Sequence, residues 1–203
     1  MSYSTTRRRR LARSIVVLLV LAAIAITTVV AFGGRDAAAR VVGTVTRTLE
    51  APFIPTVDDG YVPTGEFITL YDDVPAITNL DPALLDAMRQ ADTDLQAERG
   101  IEITVTTGWR STEYQQWLFD EAVQRYADED LARSYVASQD VSKHPKGEAI
   151  DVAPLDAQLW LQQHGSHYGL CQTYANERWH YELATEPGGE CPPMLQDARY
   201  ATS

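Results

Sequence analysis

The chain has 203 residues, 45% hydrophobic and 22% charged, with no low-complexity tract or internal repeat, which suits one globular domain once an N-terminal segment is set aside. The formal net charge is −11, and residues 35–203 hold 12 Lys and Arg against 28 Asp and Glu, about −16. A domain so acidic lacks the footprint for nucleic acid or for lying on an anionic lipid surface, and its two cysteines exclude a four-cysteine zinc site.

Residues 1–14 are a basic segment containing Arg7, Arg8, Arg9, Arg10 and Arg13, expected on the cytoplasmic side. Residues 15–32, Ile15 to Phe32, carry no charge over 18 positions. As a helix they span about 27 Å, close to a hydrocarbon core of about 30 Å. They read as a single-pass transmembrane signal anchor with the rest of the chain extracytoplasmic. Ala37-Ala38-Ala39 offers a cleavage site that would make the protein secreted instead, and the arginine pairs admit twin-arginine export. All three routes deliver Cys171 and Cys191 to an oxidising space, where they are expected to pair as a disulfide. In the cytosol they would be two buried thiols.

Residues 33–63 mix Gly, Ala, Pro and Asp without a period and read as a linker, followed by a catalytic domain over 64–203. Asp81-Pro82 is a helix start, Leu84, Leu85, Met88, Ala91 and Leu95 recur at helical spacing, and Gly100 ends the run. Ile101, Ile103 and Val105 alternate as in a strand. A second helix follows Ser111 with Tyr114, Trp117, Leu118 and Val123, and a shorter one covers 129–136. Ala149 to Val152 alternates with Asp151 on the face opposite Ile150 and Val152. A helix over 157–163 ends at Gly165, and 178–183 forms a last strand with His180 and Glu182 on one face and Trp179 and Tyr181 on the other. Trp109, Trp117, Trp160 and Trp179 are expected mainly in the core. Without regular βαβ alternation, the class is α+β with an antiparallel sheet and flanking helices.

Metal-dependent hydrolysis needs three His or carboxylate ligands, an open position for water, and a carboxylate to take the water proton. His144 lies on a Pro/Gly-containing loop and Asp151 on the following strand. Glu177 and His180 stand three apart at another strand entry. A lone histidine on a polar loop is more often solvated, and Glu177 alone would be a surface acid. Asp151 in an apolar strand is harder to dismiss, because a buried carboxylate needs a partner or a metal. His164 and His167 sit near a helix end, where the dipole suits histidine without any metal.

Ser142, His144, Gly147, Ala149 and Asp151 spell S-x-H-x-x-G-x-A-x-D. Glu177, Trp179 and His180 spell E-x-W-H, and Trp109, Arg110, Ser111 and Gln115 spell aromatic-R-S-x-x-x-Q. In this order, over about 108–182, the motifs resemble the VanY-type D-alanyl-D-alanine carboxypeptidases, zinc metallopeptidases related to VanX dipeptidases and phage endolysin peptidases. Gln139-Asp140 stands where the family often has Pro-Gly, and Arg178 where it commonly has proline; neither removes a ligand or the base.

The resemblance implies zinc held by His144, Asp151 and His180, with Glu177 as the base. It also implies Arg110 as a cation for the oxyanion or the substrate carboxylate, and Ser142, Gln115 and Trp179 as substrate contacts. The expected partner is the peptidoglycan stem peptide, trimmed by removal of a terminal D-alanine. A peptidoglycan endopeptidase, an L,D-carboxypeptidase, or a non-catalytic wall-binding module on the same fold are the rival readings.

Overall fold

The computed structural model describes residues 53–201, with one compact unit beginning at Ile54. The basic segment 1–14, the anchor 15–32 and most of the linker lie outside the described residues. Among the described residues, no helix is long and apolar enough to cross a membrane. The compact unit starts before residue 64, where the sequence places the boundary. Asp59 Oδ1 accepts from Ser111 Oγ at 3.0 Å, and the Asp59 carbonyl accepts from Ser111 N at 2.9 Å. Turn residues look alike in a linker and in a packed loop, so composition does not separate the two.

Five strands form one sheet: β1 (Ile68–Thr69), β2 (Thr104–Thr107), β3 (Ile150–Ala153), β4 (Leu170–Gln172) and β5 (His180–Leu183). Their order is β1-β2-β3-β5-β4, and every neighbouring pair is antiparallel. Helices α1 (Pro75–Thr78), α2 (Pro82–Arg99), α3 (Thr112–Tyr126), α4 (Glu129–Arg133) and α5 (Leu155–His164) flank it, giving the expected α+β class.

The helix starts follow their caps. Asp81 Oδ1 accepts from Ala83 N at 2.8 Å and Leu84 N at 3.2 Å, and Gly100 closes α2 at φ 67°. Ser111 Oγ accepts from Tyr114 N at 3.1 Å and opens α3. Leu84, Met88, Ala91 and Leu95 of α2 pack on Val105 of β2, Ile150 and Val152 of β3, and Trp160 and Leu161 of α5. Each large side chain buried there contributes about 1.5–3 kcal/mol.

Several edges differ from the sequence reading. β2 begins at Thr104 rather than Ile101, because the buried Asp92 takes the Ile103 N–H at 2.7 Å and withdraws that amide from the ladder. β5 begins at His180 rather than Arg178, because His180 N donates to the Glu177 carbonyl at 3.1 Å in a turn. α4 ends at Arg133, short of 136. β1 and β4, with two and three residues, are too short to show alternation. Cys171 of β4 is bonded to Cys191, 20 positions on. A loop of that length corresponds to about 3 kcal/mol of denatured-state entropy.

Candidate metal centre and active-site cleft

The sheet register assembles half of the site. Asp151 on β3 lies directly opposite His180 on β5, and β2 is irregular between Val105 and Thr107, beside its pairing with Asp151. His144 comes from a 3-10 turn, His144–Lys146, closed by Gly147 at φ 74°. That turn is bound on two sides. Asp81 N donates to the Gly147 carbonyl at 2.9 Å, and Trp109 Nε1 donates to the Pro145 carbonyl at 3.1 Å.

A Cβ on Gly147 would strike the Asn79 carbonyl, and its φ of 74° is one that side chains rarely adopt. Gly147→Ala is therefore expected to lose more than about 1 kcal/mol of stability and to weaken metal binding by displacing His144. Thermal melts with and without added zinc check this; a variant with wild-type melting and zinc response would show that the turn tolerates the change.

One donor atom each from His144, Asp151 and His180 lies within 4.8 Å of the others, and all three residues are buried. The outward-facing nitrogens set the tautomers. His144 Nδ1 is 2.7 Å from the Gly108 carbonyl, which can only accept, so Nδ1 carries the proton and Nε2 is bare. His180 Nε2 is 2.9 Å from Glu182 Oε1, leaving Nδ1 to face Asp151. Such outer partners orient metal-binding imidazoles and raise their basicity. His180 Nδ1 and His144 Nε2 lie 3.1 Å and 3.5 Å from Asp151 Oδ1. Tetrahedral zinc, with bonds of about 2.0–2.1 Å, needs donors roughly 3.3–3.4 Å apart. The donor set fits zinc.

The charges are consistent with a cation site. Burial pushes Asp151 up, but His144 and His180 more than offset it and hold the carboxyl well below its usual range. Burial, together with the Arg110 charge, lowers His144 and keeps it neutral, as a ligand must be. Burial also opposes charge on His180, yet its hydrogen bonds to Asp151 and Glu182 raise it to about 9. A pocket that holds a proton this firmly attracts a metal ion for the same electrostatic reason, and the two compete.

The donors open onto a cleft of about 190 Å³. Glu177 stands at its wall with Oε2 3.9 Å from His180 Nδ1. Burial is the main cause pushing the Glu177 carboxyl up to about 7, near the range where a general base works best; a bound cation would pull it down again. Arg110 Nη2 donates to Asp151 Oδ2 at 3.1 Å, and its Nη1 donates to Gln115 Oε1 at 2.9 Å.

The VanY family model, described as D-alanyl-D-alanine carboxypeptidase, matches residues 78–187. The chain belongs to the VanY family. The crystal structure of a mutant vancomycin-resistance D,D-pentapeptidase VanY from a VanB-type cassette, in complex with Zn(II), is 23% identical with a TM-score of 0.48, covering 60% of this chain and 81% of that one. VanYB in complex with D-alanine-D-alanine is 22% identical with a TM-score of 0.48, covering 60% and 80%. The LdcB LD-carboxypeptidase is 20% identical with a TM-score of 0.50, covering 63% and 72%, and shares the fold. No curated protein sequence matches the chain. As a VanY-family member, the chain is a zinc peptidase of the cell wall, of the D-alanyl-D-alanine carboxypeptidase type.

In this VanY-family domain, the candidate residues fall into groups. His144, Asp151, His180, Glu177, Arg110, Ser142 and Trp179 meet at the cleft. Gln115 also borders it, but both ends of its amide are engaged: Oε1 with Arg110, and Nε2 donating to the Ala137 carbonyl at 2.7 Å. Its observed contacts hold Arg110 in place. Trp160 is core at 2% exposed, whereas Trp179 is 42% exposed, so of the two expectations for Trp179, core residue and wall of the site, the second describes it better. Its backbone lies at the strand entry, and the ring walls the cleft. His164 stacks on Trp160 at 4.7 Å, away from the metal donors.

The sequence reading placed Glu182 and His180 on one strand face without a contact between them, and it missed the Gly108 carbonyl and Tyr174. The strand alternation already put Glu182 on the His180 face. A backbone carbonyl leaves no residue-type signal, and Tyr174 belongs to no motif.

Proposed function

We propose that this enzyme removes the terminal D-alanine from peptidoglycan stem peptides, with His144, Asp151 and His180 holding zinc. The observation that carries the reading is the convergence of three metal-ligating side chains with a further carboxylate, Glu177, in one cleft. Zinc bound there would acidify water and polarise the scissile carbonyl. Glu177 takes the proton of the attacking water and returns it to the leaving amine. Arg110, pinned by Asp151 and Gln115, supplies fixed positive charge to the oxyanion or to the substrate carboxylate. Ser142 and Trp179 border the same space and contact the peptide. A wall-binding module has no use for a base placed like Glu177.

In this reading residues 15–32 anchor the chain, residues 1–14 stay in the cytoplasm, and the enzyme works outside. Length and lack of charge over 15–32, the preceding arginines, and the Cys171–Cys191 bond support it.

Mass spectrometry of a pentapeptide stem incubated with the zinc-loaded domain should show loss of one D-alanine. Release of a dipeptide, cleavage only of a shortened stem, or cleavage only of cross-linked peptides would replace this assignment with one of its rivals.

A further inference from the structure

Tyr174 is 4% exposed and lines the cleft together with Glu177 and His180. Two turns in series place it there. Glu177 N donates to the Tyr174 carbonyl at 3.2 Å, and His180 N donates to the Glu177 carbonyl at 3.1 Å, so residues three apart border one space. From the other side, Tyr174 pairs with Leu195 in an isolated parallel bridge, and Gln172 Nε2 donates to its carbonyl at 2.6 Å. The phenol ring lies 5.1 Å from the His180 ring.

The backbone and ring of Tyr174 are therefore held, while its hydroxyl is not. Among the described residues, no group hydrogen-bonds that hydroxyl. Nor is it sealed in the interior, unlike Arg110 Nε and Thr173 Oγ1, which are enclosed without a partner. Tyrosine hydroxyls this deep normally have a partner, and the space that Tyr174 lines is the cleft. Arg110 is largely committed by contrast: Nη1 to Gln115, Nη2 to Asp151 and His144, and Nε enclosed. Arg110 contributes charge, and the uncommitted directional donor beside Glu177 is Tyr174.

We propose that Tyr174 is a catalytic residue whose hydroxyl donates a hydrogen bond to the substrate carbonyl oxygen as that oxygen becomes negative. This rests on the peptidase reading above. In the step, a water oxygen bonds to the carbonyl carbon, one water proton passes to Glu177, and the carbonyl electron pair moves onto oxygen. Collapse then breaks the C–N bond, Glu177 returns its proton to the leaving amine, and the new carboxylic acid releases the other proton to solvent. Tyr174 keeps its proton throughout. Its bond strengthens as charge develops, which is the condition for accelerating the reaction rather than merely binding substrate.

Tyr174→Phe in the full chain keeps the ring against His180 and deletes only the oxygen. With the stem peptide that the wild type cleaves, kcat should fall about 10²-fold or more while KM changes by less than about threefold. Zinc content should stay at the wild-type level. By calorimetry, affinity for a phosphinate analogue of D-Ala-D-Ala should fall along with kcat, and affinity for D-Ala-D-Ala itself should not. A kcat close to wild type, or a fall in kcat accompanied by zinc loss, overturns the role; the second result would make Tyr174 a support for His180. Wild-type protein that cleaves no stem peptide overturns the peptidase reading as well, whereas wild-type turnover unaffected by the substitution overturns Tyr174 alone.

Discussion

Glu177→Gln should lower turnover of a stem peptide by about 10²–10⁴-fold while leaving zinc bound. The substitution keeps the size and hydrogen-bonding reach of the side chain and removes its capacity to hold the water proton. The structure favours a clean separation of base from ligand. Glu177 Oε2 is 3.9 Å from His180 Nδ1, a looser approach than the 3.1 Å of Asp151 Oδ1 to the same nitrogen. Asp151, not Glu177, is grouped with the two histidines as a potential metal ligand. Zinc analysis and stem-peptide kinetics at equal zinc occupancy test the claim together. Near wild-type turnover would show that another group takes the proton, even with the metal site intact. Loss of zinc would move Glu177 from base to ligand.

His180→Ala should strip the centre of zinc and abolish turnover with it. His180 is the better target than Asp151, for an energetic reason. Asp151 is the counter-ion of Arg110, whose side chain is only 12% exposed. Removing one partner of a buried ion pair costs about 3–5 kcal/mol, so an Asp151 variant mixes metal loss with unfolding. His180→Ala leaves the Arg110–Asp151 pair standing but removes the partner of Glu182, so its melting temperature without zinc is measured beside the zinc response. The wild type should gain thermal stability from added zinc, because a ligand that binds only the folded state raises its stability; His180→Ala should show almost none of that gain. Glu148→Gln, which alters only the partly exposed pair with Lys143 at 2.9 Å, is the control and should keep both zinc and the shift. Full, tight zinc in His180→Ala would refute the ligand assignment.

The proposed donors stood out in the sequence through the family motifs, since few residue types can do this work. Only His, Cys and carboxylates bind zinc well at neutral pH, and residues 142–180 present them in two short motifs. The α2 and α3 caps, the apolar stripe of α2 and the Cys171–Cys191 pairing were equally readable, since each depends on neighbours in sequence or on compartment. The errors share a cause. The late start of β2 depends on Asp92 capturing an amide 11 residues away. The exposure of Trp179 depends on which side of a strand entry faces the cleft.

By itself, then, the sequence named the three residues proposed to hold a metal, the carboxylate proposed as their base, and an α+β domain. The domain class follows from local spacing, and the proposed ligands and base from the family motifs. The tertiary structure alone decided how the donors are tuned and what else reaches the cleft. The Gly108 carbonyl selects the bare nitrogen of His144, Gln115 is turned inward to hold Arg110, and a β4–β5 connection outside every motif brings Tyr174 to the wall. Each of these is a contact between segments joined by folding, and hydrogen-bond direction and burial exist only once the segments have met.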